Sequence, residues 1–284
     1  MEHLSMLTAV CLGALQGATE FLPVSSSGHL VIVQQLLGIS LENGKLLAFD
    51  VCLHAGTLAA VIAVFWRDIV QIVTSFFCWK DQPGAASEPG KLTPREGRKL
   101  GLLLIIGTLP AVVIAAPFKH FLERMISNAT FAACMFLITG VMLWCTRFAP
   151  KKDISLSGTK WWHALVIGLM QAVSALFRGI SRSGSTISGG LFMGFDRRHA
   201  ARFAFLLSVP AIGGAVMLQM KDFRLLTSDI LPAVIVGTVV SAIVGFACVR
   251  WMLAIIQKGN ISWFSYYCWA AGIAALVALH VAKI

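Results

Sequence analysis

Gln16-Gly-Ala-Thr-Glu20-Phe-Leu-Pro23-Val-Ser25-Ser26-Ser27-Gly28-His29 sits between two short apolar runs, residues 4–15 and 30–39. Each run is about a dozen residues or fewer, whereas a helix that crosses the hydrocarbon needs about 20. Neither run spans a membrane alone. Pro23, three serines and Gly28 break the helix between them, and the break carries a carboxylate, hydroxyls and an imidazole. Irregular polar backbone at membrane depth persists only when buried in protein or lining a wet cavity. The stretch therefore predicts a re-entrant helix–loop–helix over residues 4–39 whose loop builds a polar site. An ionisable residue there is a functional candidate.

The rest of the chain supports a membrane setting. Of its 284 residues, 57% are hydrophobic and 13% charged, against roughly 25% charged in soluble domains. The chain reads as an all-α polytopic membrane protein forming one membrane domain. Its net charge of +10 does not point to nucleic acid, because the basic residues lie in short loops between apolar spans. Membrane topology and anionic headgroups account for them there. The seven cysteines are scattered, nearly all within apolar runs and without a C-x-x-C pair, and read as small buried apolar residues. Met1-Glu2-His3 offers no basic n-region, so a cleaved signal peptide is not expected.

Spans are predicted at residues 48–66, 100–118 and 126–148, with an interfacial helix at 67–79, a loop at 80–99 and a polar connection at 119–124. After residue 150 the pattern starts over. An apolar segment at 161–177 is interrupted by Arg178-Gly-Ile-Ser181-Arg182-Ser183-Gly184-Ser185-Thr186, and a short apolar piece closes a second re-entrant pair at 161–195. Spans follow at 203–220, 230–256 and 263–282. The chain thus divides into repeats 1–150 and 151–284, each a re-entrant helix–loop–helix plus three transmembrane helices. Gly13-Ala-Leu-Gln16 matches Gly168-Leu-Met-Gln171, Ser25-Ser-Ser-Gly28 matches Ser181-Arg-Ser-Gly184, and Gly107-Thr108 matches Gly237-Thr238. Such a unit crosses the membrane an odd number of times, so the second repeat is inverted relative to the first. Interrupted helices at matching places of inverted repeats point to a site at their interface.

In the first loop, Glu20 can serve as general base or metal ligand, with Gln16 one turn before it. Either Ser26 or His29 can act as nucleophile, and His29 can also protonate a leaving oxygen. In the second loop, Arg182 stands among Ser181, Ser183 and Gly184 just before a short helix near Thr186. A guanidinium, hydroxyls, glycine-permitted backbone amides and a helix N-terminus form an anion site. Together the two loops suggest phosphoryl chemistry on a lipid-borne substrate. Plainer readings stand beside these: membrane-helix serines such as Ser25 and Ser27 often serve packing, and Glu20 with Arg182 can be a buried pair pinning the halves together. Asp50 and His54, four residues apart, read as a packed polar pair. His120, His163, His199 and His280 read as interfacial side chains at span ends.

Gln16-Gly-x-Thr-Glu20-Phe-Leu-Pro-Val-Ser-Ser-Ser-Gly-His29, followed by Ser181-Arg182-Ser-Gly-x-Thr186-Ile-Ser-Gly-Gly190, closely resembles the bacterial undecaprenyl-diphosphatase family linked to bacitracin resistance. The resemblance covers the whole chain. It implies an enzyme of the bacterial inner membrane that removes the terminal phosphate of undecaprenyl diphosphate, recycling the monophosphate carrier for peptidoglycan and other wall polymers. It also implies a divalent cation, Mg2+ or Ca2+, with Glu20 as a ligand candidate. On the family's motifs the catalytic set falls on Glu20, Ser26, His29 and Arg182. The residues expected around the phosphates are Gln16, Ser25, Ser27, Ser181, Ser183, Gly184 and Thr186. Gln16 leaves Glu20 as the only carboxylate of the first motif, and Arg178-Gly179 stands where the second motif often has Pro-Gly. A homodimer is compatible with this reading. Ser26 is the preferred nucleophile, because Gly28 lets the backbone approach a phosphate closely. His29 then serves as proton shuttle, and Glu20, kept charged by a cation or by Arg182, orients the headgroup. The alternative is a transporter of a polyprenyl phosphate lipid using the same anion site. Transport, however, needs neither the nucleophile nor the proton donor that the first loop supplies.

Loop charges predict orientation. Of the 23 Lys and Arg residues, 15 fall on one side and 6 on the other, with Arg178 and Arg182 inside the second re-entrant loop. The positive-inside rule then puts both termini outside. A reporter fused after Ile284 is expected to read as external, and a cytoplasmic signal from an active full-length fusion overturns this topology.

Overall fold

Helix α1 (Met6–Phe21) starts at Ser5, whose side chain accepts the Thr8 amide, and stops where Leu22 turns extended ahead of Pro23. Helix α2 (Ser26–Leu36) starts four residues after Leu22. At 1.5 Å per residue the two are about 24 and 16 Å long, and neither crosses a hydrocarbon core of about 30 Å. This computed structural model describes residues 4–39, 44–77, 92–115 and 128–282. The elements after the first pair are α3 (Lys45–Val64), α4 (Trp66–Ser75), α5 (Pro94–Ala115) and α6 (Ala129–Cys145). A second short pair, α7 (Trp161–Leu176) and α8 (Arg182–Phe192), precedes α9 (Arg197–Gln219), α10 (Leu231–Lys258) and α11 (Phe264–Val281). Among the described residues six helices are long and apolar enough to span a membrane, and the sole β pairing is an isolated bridge between Ile154 and Phe195. The protein is an all-α polytopic membrane protein.

Two helix starts differ by six residues from the sequence expectation. Helix α5 starts at Pro94, six residues before the predicted span, because Thr93 and Glu96 form a capping box around it. Helix α9 starts at Arg197, where Asp196 accepts the His199 amide at 2.8 Å. In both, the charged first turn reads as loop although it is helix. Asp50 and His54 are not paired with each other. Asp50 accepts from Gln34 at 2.8 Å, and His54 meets Gln16. His163 and His199, each in the first turn of its helix, are buried, whereas His280 is exposed. Residues 78–91 of the expected interfacial helix and loop, the connection 119–124 and His120 lie outside the described residues.

Helices approach through glycine. Helix α1 runs along α10 with Gly13 on the Gly237 backbone and Gly17 on Ser241 and Gly245. Helix α7 runs along α5 with Gly168 on the Gly107 backbone. In lipid there is no hydrophobic drive between apolar helices, so close backbone packing of small residues holds them together. Helix α3 also packs on α10, with Gly56 against the Thr238 carbonyl, and α6 packs on α11. The largest buried cluster, with Phe21, Phe65, Phe203 and Phe205, joins the end of α1 to α3, α5, α7 and α9. Leu102, Ile105, Leu109, Val112 and Val113 leave one face of α5 exposed, as a lipid-facing stripe requires.

Contacts also order the ends. Lys45 donates to Thr227, while Arg202 pairs with Asp68 and Lys99 donates to the Ser157 carbonyl at the far end of α3. Gly13 and Gly17 meet α10 in rising order, so α1 enters from the Lys45 end. Helix α7 starts beside the Lys99 end. The two broken pairs therefore enter from opposite ends of the bundle.

A Cβ on Gly13 or Gly168 would fall on a carbonyl oxygen of the facing helix, whereas one on Gly214 meets nothing within 4 Å. Gly13→Ala and Gly168→Ala are each expected to cost about 1–3 kcal/mol by overpacking, read as a lower thermal midpoint in detergent. Gly214→Ala serves as the neutral control. Equal stability of the three variants would refute glycine contact as the basis of packing.

Candidate active site

The tips of the two broken pairs meet. Ser25 caps α2, its hydroxyl accepting the Gly28 amide, and Ser181 caps α8 by accepting the Gly184 amide at 3.0 Å. Ser26 and Ser27 open α2, and Arg182 and Ser183 open α8. The amides of such first turns have no intrahelical acceptor. Two helix N-termini thus bring partial positive charge and free N–H groups to one place. Between them lies a cavity of about 100 Å³, lined by residues of both tips together with His54 of α3 and Ser174 of α7. Close packing of the tips depends on glycine. Gly28 faces Gly179, whose φ of +100° suits glycine and which itself packs on the Ala132 carbonyl.

Glu20, from the last turn of α1, occupies the centre of this arrangement with its side chain 5% exposed. Its Oε1 pairs with Arg182 Nη2. Its Oε2 accepts from the Ser26 hydroxyl and, at 2.9 Å, from Gln16 Nε2. A buried carboxylate without such partners costs several kcal/mol, so a cation and two donors are what keep an ionised group here. The Ser26 proton already points at a base. Ser25 carries φ +70° and ψ 96°, a conformation that side-chain-bearing residues rarely adopt and that costs about 1–3 kcal/mol. It is held by its own carbonyl, which accepts from His29 Nδ1 at 2.7 Å, and by its cap to Gly28.

Of the residues singled out from sequence, Glu20, Ser25, Ser26, Ser27, Ser181, Arg182 and Ser183 line the cavity. Gln16 stands one hydrogen bond behind, through Glu20. Gly184 and Thr186 serve α8 itself: the Gly184 amide is capped, and the Thr186 hydroxyl donates to the Arg182 carbonyl. His29 does not face the cavity. Its ring lies beside Phe136 and Tyr267, and its Nε2 accepts from the Tyr267 hydroxyl at 2.8 Å. Two polar cavity residues were not assigned to the site by the sequence reading. Ser174 lies in an apolar run with no motif around it. His54 lies 34 residues beyond Glu20 in the chain, and its spacing to Asp50 pointed to the wrong partner.

For a divalent ion the donor set is sparse. Among the described residues no three His, Cys, Asp or Glu side chains gather around one point. Glu20 is the carboxylate at the site, and its oxygens are already engaged by Arg182, Ser26 and Gln16. A single carboxylate suits an ion that arrives with phosphate ligands of its own, since Mg2+ keeps waters and takes one or two carboxylates plus substrate phosphates.

Comparison with known proteins gives the same direction. The chain is 43% identical over 274 residues to the undecaprenyl-diphosphatase of Desulfatibacillum aliphaticivorans, covering 96% of this chain and 98% of that one. It is 36% identical over 276 residues to the proteins of that name from Halothermothrix orenii and Methanosphaera stadtmanae, again covering 96% of this chain and 98% of each. Residues 9–274 match the family described as bacitracin resistance protein BacA. With both broken-helix motifs lying inside that match, the chain belongs to the bacitracin resistance protein BacA family.

Proposed function

We propose that this protein is an integral membrane undecaprenyl-diphosphatase, converting undecaprenyl diphosphate to undecaprenyl phosphate and inorganic phosphate. The Ser26 hydroxyl donating to a Glu20 carboxylate that is itself paired with Arg182 carries this reading. The relatives' shared name supplies the substrate. Arg182 and the two helix N-termini receive the diphosphate. Ser26 Oγ attacks the terminal phosphorus while Glu20 takes its proton. The bridging P–O bond breaks, and undecaprenyl phosphate leaves with the electron pair and takes the proton back. Water then attacks the phosphoserine with Glu20 again as base, releasing phosphate and restoring Ser26. The expected shuttle role does not suit His29, whose two ring nitrogens are engaged away from the cavity. In this scheme His29 positions Ser25 and so aims Ser26. A divalent ion arriving with the diphosphate, with Glu20 as its protein ligand, would neutralise phosphate charge.

The same reading places the chain in the bacterial inner membrane as two inverted repeats with both termini outside. The opposite entry of the two broken pairs supports the inversion of the repeats. So does the glycine pairing, because Gly13 on Gly237 and Gly107 on Gly168 exchange the same matched positions between halves. A transporter would have no need for the Ser26–Glu20 pair, which favours hydrolysis.

Phosphate release from undecaprenyl diphosphate by the purified protein in detergent tests this directly. Arg182→Lys keeps the charge but loses the forked donor pair, and its turnover is expected to stay severely impaired; near-normal turnover would take Arg182 out of the chemistry. In single-turnover assays Ser26→Ala is expected to lose far more rate than His29→Ala. A His29→Ala enzyme without activity beside a Ser26→Ala enzyme that keeps most of its own would instead make His29 the nucleophile.

A further inference from the structure

His54 lines the cavity, yet the reaction above gives it no task. Its Nδ1 lies 2.7 Å from Gln16 Nε2, and the same nitrogen lies 2.9 Å from Glu20 Oε2. An amide nitrogen carries two hydrogens and accepts none. The reverse amide orientation would set Gln16 Oε1 against a carboxylate oxygen, acceptor against acceptor. Glu20 thereby fixes which end of the amide faces both partners. Both Gln16 hydrogens are then committed, one to Glu20 and one to His54, and Nδ1 of His54 is an acceptor. A neutral imidazole that accepts at Nδ1 carries its proton at Nε2. The direct separation from Nδ1 to Glu20 Oε2 is 3.5 Å, too long for a hydrogen bond, so the carboxylate acts on the ring through Gln16. Among the described residues none hydrogen-bonds to Nε2, and the His54 side chain is 29% exposed where that of Glu20 is 5%.

We propose that His54 is a further catalytic residue whose Nε2–H donates to a phosphoryl oxygen of the bound diphosphate, and that Gln16 is the positioning residue that selects this tautomer. The proposal rests on the diphosphatase reading. The opposite tautomer would turn a lone pair toward an anion. A neutral donor also adds a directed hydrogen bond without a second cation that must be kept at membrane depth.

Asn and Gln separate the two ring positions, since Asn places its amide near Nδ1 and Gln near Nε2. His54→Gln is expected to keep kcat/KM for undecaprenyl diphosphate within about tenfold, whereas His54→Asn loses about 10²-fold, as when one donor is removed from an anion hole. The same order is expected in calorimetric binding of inorganic pyrophosphate, with His54→Asn about tenfold weaker than wild type. Nitrogen-15 imidazole shifts, assigned by difference from His54→Gln, are expected to show the Nε2–H form in wild type and to lose it in Gln16→Glu, which offers Nδ1 an acceptor. Equal behaviour of His54→Gln and His54→Asn, whether both intact or both inactive, overturns the proposal, as does an Nδ1–H ring in wild type. Wild-type protein that releases no phosphate defeats the diphosphatase reading instead. The pyrophosphate affinities and the tautomer then still decide for or against His54.

Discussion

A carboxylate buried between two broken helices is tolerable only if something positive meets it, and here that is Arg182 on Glu20. The partners come from opposite ends of the bundle and lie 162 residues apart in the chain. Neither charge would be stable at membrane depth without the other. Their pairing therefore requires both tips to be in place at once. Helix α1 must stop at Leu22, α8 must begin at Arg182, and the backbones must close through Gly28 and Gly179. The pair that pins the two tips together also lines the cavity. In the proposed reaction an arriving diphosphate competes with Glu20 for the guanidinium, and a Glu20 released in that way is freer to accept the Ser26 proton.

Around this pair, the break in each helix does two jobs. It exposes an N-terminus whose amides have no partner within the helix, and it aims that end at the same cavity as its counterpart. Serine caps both, so the local chemistry of Ser25 and Ser181 is alike. What differs is the next residue, a hydroxyl in α2 and a guanidinium in α8. A single cavity thus receives a hydroxyl from one tip and a guanidinium from the other. The strained backbone at Ser25 belongs to this arrangement, since it is held by the His29 imidazole and sits one residue before the hydroxyl to be aimed.

The broken helices, the membrane setting and most of the cavity wall were legible in the sequence, because each rests on local chemistry. Runs too short to span, proline, serine caps and an ionisable residue among apolar neighbours carry their meaning within a dozen positions. The starts of α5 and α9 were legible too, in Thr93-Pro-Arg-Glu96 and in Asp196, but their charged first turns concealed them. Only the tertiary structure decided which polar groups meet. Asp50 and His54 share one helical face, yet Gln34 took the first and Gln16 the second, because α2 and α1 supply those partners from elsewhere in the chain. His29 lies three residues from Ser26, yet its ring turns toward Tyr267, 238 residues away. Sequence spacing constrains which face of a helix a side chain occupies; which neighbour stands opposite that face is set by how the helices pack, and glycine contacts between distant segments made that choice.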